Sequence, residues 1–490
     1  YSTVENTDNT EQFRIEGGFV KQPTTGKMLN WVISEDFDSE YPHLIMQYNI
    51  SPETYLGQDY FDVPQFEREE LIARTVDLSK LSGTNITMTP NRSFYDKSEE
   101  GILPYLMRTM YAERKAIKRQ MLETQQEREA FEKNTDDYKS LTMKISSLNN
   151  GQAARKILLN SCFGALASKY YRYNNSYIAE SITTAGQVGI RWINRKTNEY
   201  LNKILKTSDV DYVVAVDTDS EYVELNRLVK RYFKNKPDAT DHDKVEFLDL
   251  FCETQLDPYI EASCQELKEY TNARVQKLKM SREAISSRGF WTGRKHYALL
   301  VHDMEGVRYA KPKLKIMGLE TQKSSTPKPC RDSLKDMIMV MLTKGEEETQ
   351  DYIKEAHENF ISLDVGEYAI PRGVNGLEKY CIENGKAIKG TPAHAKAALV
   401  YNMMIERKKL PLDPIRSGDK LKYVPLKEPN PCGFPIVGFP SHLGLPAEFG
   451  LDEYVDVETV YNKAFLKPAE AMLNAVGWNV EKTSSLEDFF

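Results

Sequence analysis

Cysteine is scarce in this chain: six residues in 490 (Cys162, Cys252, Cys264, Cys330, Cys381 and Cys432), none in a Cys-x-x-Cys pair. That spacing argues against a structural zinc or iron–sulfur site and leaves reduced thiols as the simplest reading. No apolar run approaches the ~18–20 residues that a membrane span requires. No stretch reads as a secretory signal, which makes the cytoplasm the expected compartment. Positive charge is not in excess either, the net charge being −7. On its face that opposes nucleic-acid binding, although local distribution decides such a question more than the total. Internal repeats are lacking. What remains is an ordinary globular composition, 40% hydrophobic and 28% charged, in a chain long enough to need several subdomains.

The most telling stretch runs from Tyr212 to Val223. A β-branched apolar run meets two carboxylates one residue apart, Asp217 and Asp219, after which apolar residues resume. The pattern predicts strand, tight turn, strand, with the acids at a hairpin tip. Bare carboxylates ending a hydrophobic strand call for a cation, and a divalent metal on oxygen ligands is the usual one. Asp-x-Asp also occurs in solvated turns and in calcium loops. A calcium loop counted from Asp217 would want Gly at its sixth place and Glu at its twelfth; Tyr222 and Leu228 stand there. Upstream, Trp31-Val32-Ile33 delivers a further acid, Asp36, ahead of a turn and Pro42. Two metals about 3.5–4 Å apart need carboxylates from more than one strand. Asp36 and Asp217 are therefore expected to bridge, with Asp219 nearby and the Phe37 carbonyl completing a shell.

Ser34–Pro42 and Asp217–Ser220 resemble the first and third polymerase motifs of the family-B DNA polymerases. Arg155–Leu166 resembles the Lys-x-x-x-Asn-Ser-x-Tyr-Gly motif between them, and the order along the chain is the family's. Asn49–Thr54, Gly289–Lys295 and Lys313–Gln322 are similar to stretches of the T-even bacteriophage type. The resemblance implies an α+β fold of right-hand architecture: an antiparallel palm sheet, a helical fingers hairpin and a mixed, largely helical thumb. It also implies template-directed addition of dNMP from dNTP to a primer 3′-OH by two-metal-ion transfer. Two Mg²⁺ ions (Mn²⁺ as substitute), primer–template DNA and dNTP come with that activity, in the cytoplasm of a bacterial host.

Site residues carry over position by position. Arg114 and Lys118 are four apart on one helix, Lys156 and Asn160 four apart on the next, so each pair shares a face. The resemblance turns these faces toward a triphosphate, where positioning and electrostatics make up most of phosphoryl-transfer catalysis. Taken singly, each is more commonly an exposed helix cation. Ser39, Glu40 and Tyr41 would complete the nucleotide site, Tyr41 lying under the sugar to exclude a 2′-OH. Phe163 and Gly164 would face the nascent base pair, Phe163 standing where the family has Tyr. Glu40 replaces a usual Leu and Val216 a Gly, neither expected to touch a metal ligand. Glu283 would be an accessory acid. Arg294, Lys295 and Tyr297 resemble the element that contacts the primer terminus. They belong to a basic stretch, Arg288 to Lys328, interleaved with Phe290, Trp291 and Tyr297, which suits a duplex backbone; a solvated surface is the plainer alternative.

The expected organisation is an N-terminal segment and first palm part over 1–100, fingers over 101–168, second palm part over 169–318 and thumb over 319–490. Helical spacing runs from Leu103 to about Lys133, broken at Asn134–Asp137, and Asn149-Asn150-Gly151 predicts a second break. Arg331 to Ile361 reads as helical, and Leu410 to Pro446 as a Pro-rich loop region. Ile15-Glu16-Gly17-Gly18 resembles the Tyr-x-Gly-Gly/Ala switch between polymerase and exonuclease, with Ile15 in the Tyr place. The chain starts without Met, and the exonuclease half is expected either on a separate polypeptide or to have been removed from this one. At the other end Leu486, Phe489 and Phe490 resemble a sliding-clamp peptide, an apolar and aromatic tail suited to a surface groove. Two other classes stay open on residues alone: a silent primer–template scaffold, and a two-metal nuclease or another nucleotidyltransferase.

Overall fold

A computed structural model describes residues 15–383 and 386–481. The clamp-like residues Leu486, Phe489 and Phe490 lie outside them. The chain divides into two compact units. One takes residues up to 24, 29–288 and 301–313; the other takes 25–28, 289–300 and 314 onward. The fold is α+β with antiparallel sheets.

The first unit is organised by a hydrophobic strand, β1 (Leu29–Phe37), almost wholly buried. It leads through Ser39 into a short helix, α1 (Glu40–Tyr48). Two long helices follow, α2 (Ile102–Arg128) and α3 (Asp136–Ala167). Thr135 caps α3 by accepting from the Tyr138 N–H at 3.3 Å, and Asp136 and Asp137 in the first turn suit the helix dipole. Helix α4 (Ser176–Leu205) buries Ile178, Ile182, Ile190 and Trp192 in the unit's main core. Then come β2 (Val213–Asp217) and β3 (Ser220–Glu224), and three longer strands, β4 (Met280–Gly293), β5 (His296–Met304) and β6 (Val307–Met317). The sheet order is β2-β3-β1-β4-β5-β6, which pairs β1 with β3 although some 190 residues separate them in sequence.

The second unit packs α5 (Lys328–Thr343), α6 (Glu346–Ile361) and α7 (Ala393–Arg407) with a sheet of Ile370–Gly373, Lys420–Pro425 and Ile436–Pro440. On α5, Cys330, Leu334, Met337, Ile338 and Met341 form one buried stripe at helical spacing.

Three sequence expectations change here. Asn149-Asn150-Gly151 does not break the helix: α3 runs straight through it. Gly151 faces α2, where an added Cβ would touch Ile117 at 3.8 Å, and helix pairing offsets the ~1 kcal/mol that a mid-helix Gly costs. The helical stretch from Arg331 to Ile361 is two helices, interrupted at Lys344-Gly345. The Pro-rich span from Leu410 to Pro446 contains two paired strands, with Leu421, Val424, Val437 and Phe439 buried. Their short apolar runs were masked by the flanking prolines.

Candidate active site

The two acid segments meet on adjacent strands. Asp36, near the end of β1, sits opposite Ser220 in the ladder with β3. Asp217 closes β2 and pairs with the same Ser220 across the hairpin. The tip between them is tight. The Asp219 N–H donates to the Asp217 carbonyl at 2.8 Å, and Thr218 has φ 63°. An i to i+2 bond with positive central φ is γ-turn geometry, strained for a β-branched residue. The Phe37 N–H donates to the Asp219 carbonyl at 2.8 Å and ties β1 to the tip.

A segment whose contacts the sequence did not disclose holds this turn from the other side. The Thr218 N–H donates to the Phe19 carbonyl (2.9 Å), the Lys21 N–H to the Val216 carbonyl (3.1 Å) and the Thr24 N–H to the Val214 carbonyl (2.8 Å). Gly18 is pressed against the tip, where an added Cβ would lie 2.5 Å from Thr218 Cγ2. The Gly17-Gly18 pair was the available signal; its partner lies some 200 positions away.

Beside the tip opens a cavity of about 940 Å³, within the usual range for small-molecule sites. Its walls include Asp36, Phe37, Ser39, Glu40, Tyr41, Asp219 and Glu283 from the strands and α1, and Arg114, Lys118, Lys156 and Asn160 from α2 and α3. Asp217 is not among the residues of that wall. The first turn of α1 opens here too, and such N–H groups lack intrahelical partners and attract anions.

Arg114 and Lys118 are held by neighbours of which the sequence reading singled out only Ser39. Arg114 is 6% exposed, donates to Ser39 Oγ at 2.5 Å and lies 3.7 Å from Asp38. Asp38 also accepts from the Tyr111 hydroxyl. Lys118 Nζ pairs with Glu305 Oε1 at 2.8 Å. Burial raises the Asp219 carboxyl above its ordinary value, with Lys156 opposing and Asp217 and Glu283 adding to the rise. Glu40 is 4% exposed and its Oε1 has no hydrogen-bond partner among the described residues. Burial, then the charges of Asp219 and Asp36, push its carboxyl well up. Glu283 accepts from Ser34 Oγ at 2.9 Å.

Tyr41 is pushed up to about 12, by burial first and then by Glu40 and Asp219. Its ring meets Phe163 edge-on, centroids 5.1 Å apart. Gly164 is exposed and an added Cβ there would meet nothing within 4 Å. In the second unit Arg294 and Lys295 stand exposed at the β4–β5 turn. Tyr297 does not: it is 5% exposed and packs on Trp291, ring centroids 5.4 Å apart. Phe290 and Trp291 are buried as well; as neighbours on β4 they point to opposite faces, so both faces of the strand are covered there.

The donor set available to a metal is all oxygen, which suits a hard divalent cation. The buried Glu40 Oε1, without a hydrogen-bond partner among the described residues, lines the same wall as Asp36 and Asp219. Among the described residues, however, no group of three His, Cys, Asp or Glu side chains is assembled that could hold a metal.

Residues 2–470 match DNA polymerase family B. The chain is similar to the DNA-directed DNA polymerases of Enterobacteria phage T4, 34% identical over 97% of the chain and 58% of the relative, and of Escherichia phage RB69, 35% identical over 97% and 56%. A DNA polymerase of Pyrococcus glycovorans is 25% identical over 71% of the chain and 35% of its own length. The chain thus spans a little over half the length of the phage relatives it matches. Among the described residues no helix is long and apolar enough to cross a membrane.

Proposed function

Because the chain belongs to DNA polymerase family B, we propose that its first unit is a polymerase core that adds dNMP from dNTP to a primer 3′-OH under template direction. One observation carries the reading: a single cavity gathers Asp36 and Asp219 with Arg114, Lys118, Lys156, Asn160 and Tyr41. A nuclease site would need the acids alone, and a silent scaffold would need neither acids nor cations there.

In this reading Arg114, Lys118, Lys156 and the first-turn N–H groups of α1 bind the β- and γ-phosphates, and Asn160 orients them. Lys118 leaves Glu305 to do so. Tyr41, wedged against Phe163, closes the floor under the sugar and leaves no room for a 2′-OH. Phe163 and Gly164 face the nascent pair, and the exposed Arg294 and Lys295 contact the duplex backbone. Asp36, Asp217, Asp219 and the Phe37 carbonyl would hold Mg²⁺, or Mn²⁺ in its place, with Glu283 as a more distant acid. Divalent metal, when bound, supplies Lewis-acid stabilisation of the charge developing in transfer. The strained Thr218 turn fixes where the Asp217 and Asp219 carboxylates point. The host cytoplasm is the compartment this chemistry fits.

Extension of a labelled primer with dNTP, with rNTP and without nucleotide, by native and Asp217→Ala protein, tests the reading. Templated dNTP addition that the variant loses is the expected result. Shortening without nucleotide would make the protein a nuclease, and no change in the primer would leave a scaffold.

A further inference from the structure

The second unit holds a groove of its own, about 780 Å³ in volume, walled by α6 and by a later helix. That helix is built from α8 (Val457–Tyr461) and α9 (Lys467–Asn474), joined through a π-helical turn, Asn462–Leu466. Turns of this kind are rare and recur at functional sites. Ile353, Tyr461 and Leu466 give the groove an apolar lining. Two contacts tie its walls together: the Tyr461 hydroxyl donates to the Ile353 carbonyl at 3.2 Å, and His357 pairs with Glu458 at 3.0 Å.

The chain itself runs into this groove. The Asn479 N–H donates to Glu346 Oε1 at 2.8 Å, in the first turn of α6. One turn on, Gln350 Nε2 donates to the Asn479 carbonyl at 2.9 Å and to the Glu481 carbonyl at 3.3 Å. Gln350 is only 5% exposed, so the strap it holds is fixed. Val480 and Glu481 already line the groove beside Ile353 and Lys354, on the next turn of α6. Residues 479 to 481 therefore climb α6 toward Glu358. From Gln350 to Glu358 the helix rises about 12 Å, which about four extended residues cover. Leu486 is the first large apolar residue to arrive there, after Lys482-Thr483-Ser484-Ser485.

We propose that this groove is the berth of the chain's own segment 482–488, with Leu486 seated between α6 and the π-helical turn. The charges suit such a segment. Lys354, Lys463 and Lys467 are exposed in the walls and form no ion pair among the described residues, and Glu487 and Asp488 follow Leu486. Glu358 and Glu470 stand in the same walls, and the segment brings Lys482. A nucleic acid would be repelled by those acids. A detached peptide would lack the tether, which holds the segment at an effective concentration of about 1 mM. Occupation withholds Leu486 from any partner that reads this stretch, so binding of that partner must first draw the segment out.

The photo-crosslinker p-benzoylphenylalanine, put in place of Leu486 in the full chain, reads the seat directly once the irradiated protein is mapped by mass spectrometry. Crosslinks within one chain to 353–358 and 459–467 are the expected result. Crosslinks confined to a dimer band would give the groove to a second copy, and crosslinks elsewhere would take the segment out of it; either overturns the proposal. A fluorescein-labelled peptide of residues 482–490 then measures the competition by polarisation. Leu486→Ser frees the groove, so the full-length variant should bind the peptide roughly tenfold more tightly than the native chain, an effective concentration of ~1 mM acting against a peptide Kd of ~0.1 mM. Adding Leu466→Asp should remove that binding. Equal or absent binding by the native and Leu486→Ser chains, or binding that survives Leu466→Asp, would overturn the proposal as well.

Discussion

Replacing Gly18 by Ala probes the least obvious support of the site. An added Cβ would stand 2.5 Å from Thr218 Cγ2 and 3.1 Å from Thr218 Cβ and Oγ1, whereas ordinary contact begins at 3.4 Å. Relief therefore needs a displacement of about 0.9 Å at the worst contact. The Gly18 side is tied to the strand edge by the Thr218–Phe19 and Lys21–Val216 backbone bonds. The strained turn at Thr218, already at φ 63°, is the element expected to give. Overpacking of this kind costs ~1–3 kcal/mol, and a shift of about 1 Å in reacting groups is worth ~10²-fold in rate. Single-turnover incorporation at saturating dNTP should fall by about that factor in Gly18→Ala, with a modest drop in melting temperature. Adding Thr218→Ser deletes Cγ2 and leaves only the 3.1 Å contacts, so the double variant should recover most of the rate. Native-like turnover in Gly18→Ala, or a double variant no faster than the single, would refute the reasoning.

Other perturbations follow from the same geometry. Glu305→Gln removes the ion pair that occupies Lys118 and should lower the apparent KM for dNTP by a few-fold, in line with the ~0.2–1 kcal/mol of a solvent-accessible pair, with kcat little changed. Tyr41→Val should weaken discrimination against rNTP by about 10²-fold, measured as a ratio of kcat/KM values. Asp303 is 1% exposed on its side chain and bridges Arg282 and Arg308, both of which Asp249 also pairs; Asp303→Ala should cost ~1.5–3 kcal/mol in urea unfolding, the loss of charged hydrogen bonds to guanidiniums that Asp249 still holds. Asp257 is raised to about 6, chiefly by burial, from an ordinary aspartate value of 3.8. A raised acid binds its proton more tightly in the folded state, so this group's stabilisation is present below the unfolded value and is lost as pH rises toward 6. Asp257→Asn should flatten the dependence of melting temperature on pH across that window.

The site was legible in part. The Asp217-Thr218-Asp219 tip declared itself because a β-branched run ending in acids has few other solutions, and the α2–α3 hairpin because the helical spacing from Leu103 is broken at Asn134–Asp137. Glu40 and Glu305 were not legible as neighbours of the acids and cations, since sequence spacing is silent about what folds opposite. Gly18 is the same case across nearly the whole first unit. Tyr297 shows the limit of reading composition: aromatics within a basic stretch are buried where both faces of the strand pair are covered, which the charge pattern does not disclose. Asn149-Asn150-Gly151 shows the limit of local propensity, overridden by the packing of α3 along α2.

The most direct measurement is single-nucleotide incorporation opposite each of the four template bases in turn, with all four dNTPs present and the product identified by mass. The expected result is one added nucleotide that changes with the template and is always its complement. Addition independent of the template base, or a primer that only shortens, would contradict the assignment of this cavity to templated synthesis.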